Sequence, residues 1–94
     1  MIKGQTQSGF DYAINEKALG DWRFLKAMAD LDSGDDSRAL GAMPIVVSLL
    51  MGKDQARFEE HITDAEGYQS TEMVLADLKD IFAHVKETNQ GKNS

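Results

Sequence analysis

The sequence predicts a mainly α-helical fold in which an N-terminal β-hairpin packs on a four-helix domain. Two patterns carry that reading: strict apolar alternation over residues 10–14, and apolar stripes at helical spacing from residue 21 onward. A third observation is that turn or capping residues stand at each expected boundary: Ser8-Gly9, Gly20-Asp21, Gly34-Asp35, Gly52 and Ser70.

Phe10, Tyr12 and Ile14 alternate with Asp11 and Ala13, the period of a strand with one buried face. A three-residue loop at 7–9, with Gly9 left-handed, sets Ile2 opposite Ile14, Gly4 opposite Tyr12 and Thr6 opposite Phe10. A two-residue loop would put Lys3 and Gln5 on the apolar face, so the longer turn is expected. Two strands alone are scarcely stable in water, and this hairpin must lean on helices.

Glu16 to Leu19 can make one helical turn before Gly20, after which Asp21 is placed to cap a helix ending near Asp32. Trp22, Leu25, Met28 and Ala29 share its expected inner stripe, flanked by Phe24 and Leu31, with Trp22 read as a core anchor. The next helix, 37–51, is apolar almost all round through Ile45, Val46, Val47, Leu49 and Leu50, as for a helix surrounded by neighbours. Pro44 removes a backbone donor and disfavours helix at Met43, so a kink is expected, or a break with Pro44 opening the second segment. Gly52 suits the end of that helix, and Asp54 the cap of a short one in which Phe58, His61, Ile62 and Ala65 share a face. Ser70 caps the last helix, whose stripe is Val74, Leu75, Leu78, Ile81, Phe82 and Val85. The expected organisation is one domain over 1–88 with a polar, frayed tail at 89–94.

With 41% hydrophobic and 28% charged residues, the chain reads as a globular protein with a single core. It has no cysteine for disulfides, and its longest apolar stretch, MPIVVSLLM, is about half a membrane span. No signal-peptide run opens it, so the cytosol is the expected compartment and no membrane partner is expected. A net charge of −6, with the basic residues spread from Lys3 to Lys92, argues against nucleic acid as a partner.

The stretch DLDSGDDS at 30–37 invites a calcium loop. Counting from Asp30 puts Asp35 at the sharp bend that needs glycine and Gly41 at the closing carboxylate. Counting from Asp32 puts Ser37 and Met43 there. The stretch is better read as a turn, Gly34 stopping one helix and Asp35 or Asp36 capping the next. His61 and His84 belong to no metal-ligand spacing and read as half-buried packing residues, His84 with Asp80 as an i, i+4 neighbour. Met28, Met43, Met51 and Met73 read as core rather than as a binding surface. With no cysteine, no serine in a nucleophile-elbow context and no glycine-rich phosphate loop, no catalytic, metal or cofactor residues are assigned and no enzyme is expected.

Two segments, GFDYAINEKALGDWRFLKAMADLDSGD and SLLMGKDQARFEEHI, resemble the small tail assembly chaperones of long-tailed phages and prophages, in a hairpin strand running into a D-W-x-x-L helix and an acidic turn. The resemblance spans most of residues 9–88. It implies a non-enzymatic protein that binds the tape-measure protein and keeps it soluble while the tail tube polymerises. It also implies action in the bacterial cytoplasm, absence from the mature virion, and in some products a frameshifted extension beyond the tail. The residues themselves agree on the class, since a protein holding an amphipathic helix needs an apolar groove with a polar rim. Phe58, Ile62, Phe82 and Val85 are the expected partner-binding residues, on the face shared by Phe58 and Ile62 and on the last helix, and a homo-oligomer is a further possible partner state. The competing readings are a small acidic regulator or inhibitor of a basic protein partner, acting through its negative surface, and a structural tail component.

Overall fold

A computed structural model of the chain describes the backbone of residues 1–93 and the side chains of residues 1–87. It is mainly helical, with a two-stranded antiparallel hairpin at the N-terminus. In order come β1 (Ile2–Gln5), β2 (Asp11–Ile14), α1 (Glu16–Leu19), α2 (Trp22–Leu31) and α3 (Asp36–Met51). A 3-10 turn (Gly52–Asp54), α4 (Gln55–His61) and α5 (Thr71–Asn93) complete it. By backbone contact the chain divides into two compact units, one formed by Met1 with Ile14–Gln55 and the other by Ile2–Ala13 with Ala56–Ser94. None of the helices described is long and apolar enough to cross a membrane.

The hairpin unit has the register its alternation predicts. Thr6 N–H donates to the Phe10 carbonyl at 2.9 Å and Gly9 N–H to the Thr6 carbonyl at 3.0 Å, closing the loop at 7–9. Gly9 has φ +96°, a conformation open to glycine at little cost. Phe10 turns inward, its ring edge-on to Phe58 with centroids 5.0 Å apart and tilted against His61 at 5.4 Å. Arg57 covers the same ring, its guanidinium 4.4 Å from the centroid, and donates to the Asp11 carbonyl at 2.7 Å. Arg57 therefore ties α4 to the hairpin backbone while its planar cation shields the aromatic face. Ile62, Leu78, Ile81 and Val85 are also buried in this unit.

Between α4 and α5 the chain makes a tight loop around Asp64. Its carboxylate accepts the N–H groups of Glu66 and Tyr68, and Gly67 takes a positive φ of +92°. Ser70 Oγ then accepts Met73 N–H at 3.3 Å, the cap expected for α5. Helix α5 continues to Asn93 through most of the stretch read as a frayed tail, and Ser94 lies outside the described residues.

In the other unit Asp21 caps α2, and Asp35 caps α3 by accepting from Ser37 and Arg38 N–H. The four-residue connection 32–35 contains Gly34 at φ +81° and folds α2 back on α3, so the acidic stretch acts as a helix-stop and cap. Helices α2 and α3 form the most extensively packed pair of elements among the described residues. Phe24 and Ala27 from α2, and Ala42, Met43, Val46, Val47, Leu50 and Met51 from α3, are buried.

Two expectations for this unit need correction. Of the kink or break expected at Pro44, the break does not occur, since α3 is one helix from Asp36 to Met51. Proline is costly because it leaves the carbonyl four residues back, here that of Leu40, without its donor; Leu40, Gly41 and Pro44 all lie on the exposed side of α3. Trp22 is not a core anchor. It is 69% exposed, because α2 turns the face containing Phe24 and Ala27 inward instead.

The closest approach in the hairpin unit is at Gly4. A methyl group there would overlap the Tyr12 hydroxyl and stand 2.7 Å from Tyr12 Cζ and 3.0 Å from His84 Nδ1. Gly4→Ala is therefore expected to destabilise the protein by about 1–3 kcal/mol in chemical or thermal melts. Gly20→Ala, where the nearest atom is an ordinary 3.9 Å away and φ is −98°, should stay within about 1 kcal/mol of the wild type.

Candidate interaction surface

Helix α5 presents a polar row to the hairpin at i, i+3 and i+7: Asp77, Asp80 and His84. Ser8, at the hairpin tip, donates to both oxygens of Asp77 at 2.9 Å. Its Oγ also lies 2.9 Å from His61 Nε2 and 3.0 Å from Thr6 Oγ1. One step along, Gln7 N–H donates to Asp80 at 2.9 Å, and at the far end Tyr12 hydroxyl meets His84 Nδ1.

The protons of this cluster can be counted. A hydroxyl has one proton and accepts two hydrogen bonds. Because the Ser8 proton goes to Asp77, its two remaining neighbours must both donate, so His61 carries its proton on Nε2 and Thr6 gives its own to Ser8. Thr6 Oγ1 in turn accepts Phe10 N–H at 3.1 Å. Asp77 is only 1% exposed, and no buried polar side-chain atom among the described residues lacks a partner.

A serine beside a histidine nitrogen resembles a nucleophile with its base, but the directions here run the other way. The imidazole donates to Ser8 rather than accepting from it, and the aspartate holds the serine, not the ring that would need orienting. The arrangement is a latch fastening the hairpin tip to α4 and α5. Among the described residues no group of three or more His, Asp or Glu side chains is disposed to hold a metal ion.

Burial pushes the Tyr12 phenol above its ordinary 10, and the nearby Asp80 carboxylate pushes it the same way.

The α2–α3 unit also carries exposed apolar surface. Helix α2 is apolar on two faces. Phe24, Ala27, Met28 and Leu31 form the inner one, while Trp22, Leu25 and Ala29, at i, i+3 and i+7, lie exposed on the outer. Leu25 is 49% exposed and Ile45 of α3 47%. Arg23, Pro44, Ile45, Ser48 and Leu49 line an open groove of about 270 Å³ between the two helices.

At the start of α2, Asp21 accepts from Arg23 three times: from its backbone N–H at 2.8 Å, from Nε at 3.0 Å and from Nη2 at 2.8 Å. The Arg23 guanidinium, followed by the backbone N–H, holds the Asp21 carboxyl down at about 2.

The partner-binding residues expected from sequence lie elsewhere. Phe58 is fully buried and Ile62 and Val85 nearly so, while Phe82 is half-buried. In this conformation the first three are inside the hairpin unit, and replacing Phe58 or Ile62 would strike the core that seats Phe10. Phe58, Ile62, Phe82 and Val85 thus contribute to the hairpin unit, whereas Trp22, Leu25, Leu40 and Ile45 are exposed on α2 and α3, as are Tyr68 in the α4–α5 loop and Leu75 on α5. The signal for the α2 surface was present in the two apolar stripes of that helix, but local periodicity does not say which stripe turns inward.

With the geometry established, comparison with known proteins adds no relative: no protein-family model, curated protein or solved structure matches the chain.

Ser8→Ala leaves the buried Asp77 carboxylate without its hydroxyl donor and is expected to cost about 1–3 kcal/mol in denaturant melts. In the wild type, nitrogen-detected NMR of His61 should show the proton of the neutral ring on Nε2. Asp21, its carboxyl depressed below the ordinary 3.8, contributes to stability at higher pH and loses that contribution as pH falls through about 2. A carboxylate NMR titration should find its midpoint there, and Arg23→Gln should raise it toward the ordinary value.

Proposed function

We propose that this protein is a non-enzymatic binding protein that takes an amphipathic helix of another chain along the outer face of α2, and that it acts as a tail assembly chaperone of the kind it resembles. The client in that reading is the tape-measure protein, held in the bacterial cytoplasm and released before the particle is complete. The observation that carries the proposal is the outer stripe of α2, headed by a tryptophan 69% exposed. A helix apolar on both faces has one face covered by its own fold and one left over, and leftover anchors at i, i+3 and i+7 are what a second amphipathic helix matches. Tryptophan is also the side chain most often found to dominate binding energy at such contacts.

A net charge of −6 fits the task, since a complex presenting that charge resists association while the client's apolar face is covered. The same charge is what favours the second reading, an acidic inhibitor of a basic partner. Salt separates the two: apolar docking tolerates it, whereas binding through exposed charge weakens as ionic strength rises.

The test is a pull-down of the tape-measure protein from induced cells, repeated with Trp22→Ser/Leu25→Ser. The double variant is expected to lose binding by about 2 kcal/mol or more, while its circular-dichroism melt moves by no more than about 0.5 kcal/mol, as for surface substitutions. Full binding by the variant would exclude the α2 face. Self-association that the double variant abolishes would identify the occupant as a second copy of the chain.

A further inference from the structure

The outer stripe of α2 is not electrically uniform from end to end. At its Trp22 end, Asp21 and Arg23 neutralise each other at 2.8 Å. At its other end, Asp30 is matched by Arg38 at 2.9 Å, and Asp35 is engaged in capping α3. Asp32 and Asp36, which flank the turn, carry no ion pair or side-chain hydrogen bond among the described residues, and both are exposed.

Asp32 continues the stripe by phase: Trp22, Leu25, Ala29 and Asp32 fall at i, i+3, i+7 and i+10. Its N–H still bonds to the Met28 carbonyl, so it keeps the helical register as the C-cap residue. A helix of this length spans about 15 Å, roughly twice the distance over which physiological salt screens charge. The two ends are therefore distinct to a docked chain, one balanced and the other anionic. Lys26 is exposed beside the stripe at mid-length and leaves the far end negative.

We infer that the client helix has a cationic end and lies along α2 with that end over Asp32 and Asp36. This rests on the α2 docking face proposed above and adds the chemistry and direction of what docks. The recognition element is an apolar face about three turns long, with Lys or Arg at the terminus that meets the 32–36 turn.

The probe is a synthetic amphipathic helical peptide of about 14 residues, with leucines at i, i+3 and i+7, two lysines at one end and a spin label beside them. A matched peptide replaces the lysines with glutamates. Trp22, the chain's single tryptophan, reports docking by its own fluorescence. The lysine peptide is expected to bind roughly tenfold more tightly than the glutamate peptide at low salt. Asp32→Asn/Asp36→Asn should reduce that preference to about twofold or less. In isotope-labelled protein the spin label should broaden the Ala29 and Ser33 amides more than those of Trp22 and Arg23.

Equal affinity for the two peptides, or broadening centred on Trp22, would overturn the orientation while leaving the α2 face in place. If neither peptide perturbs Trp22 at concentrations up to about 1 mM, the docking face itself is wrong and the inference falls with it.

Discussion

The hairpin unit depends on the seating of Phe10. A two-stranded ribbon in water has too little apolar contact to hold its own register, so its stability is borrowed from what grips it. Phe10 packs against the Phe58 ring, the His61 ring and the Arg57 guanidinium. Burial of a side chain of this size is worth about 1.5–3 kcal/mol. The burial of Phe58, the bond from Arg57 to the Asp11 carbonyl and the half-buried position of His61 all follow from that placement.

Apolar contact is non-directional and would tolerate a ribbon slid or tilted by an ångström. The polar row on α5 removes that freedom. Asp77 holds the Ser8 hydroxyl, Asp80 the Gln7 amide and His84 the Tyr12 hydroxyl, each at a different height along the ribbon. A one-residue slip would break all three and leave a carboxylate buried without a donor, a larger penalty than the bonds' net worth when made. Gly4 is the counterpart on the opposite strand, lacking a side chain where Tyr12 and His84 come closest.

The α2–α3 unit shows the opposite economy. Its buried residues are Phe24 and Ala27 from α2 and Ala42, Met43, Val46, Val47, Leu50 and Met51 from α3. The apolar residues that do not fit inside are left outside. The exposed Trp22 is the feature on which the proposed docking reading rests. The latch and the outer stripe therefore divide two kinds of chemistry. Polar contacts specify the fold of the hairpin unit, and α2 keeps apolar side chains on its exposed face.

Local pattern alone determined most of the secondary structure. The alternation at 10–14 and Gly9 specify the hairpin and its three-residue loop, and Asp21, Asp35, Gly52 and Ser70 mark helix ends, because capping and turn chemistry act over two or three residues. The reading of DLDSGDDS as a turn rests on the same short-range logic. Tertiary structure decided what depends on distant partners. Both stripes of α2 satisfy helical periodicity, and only the fit of Phe24 and Ala27 against α3 turns Trp22 outward. Pro44 breaks a helix by local rule, yet α3 runs on, with Leu40, Gly41 and Pro44 on its exposed side and Met43, Val46, Val47 and Leu50 buried on the other. Ser8, His61 and Asp77 are too far apart in sequence for any spacing rule to join them, and only the folded chain brings a turn residue, a helix end and a buried carboxylate within hydrogen-bonding distance.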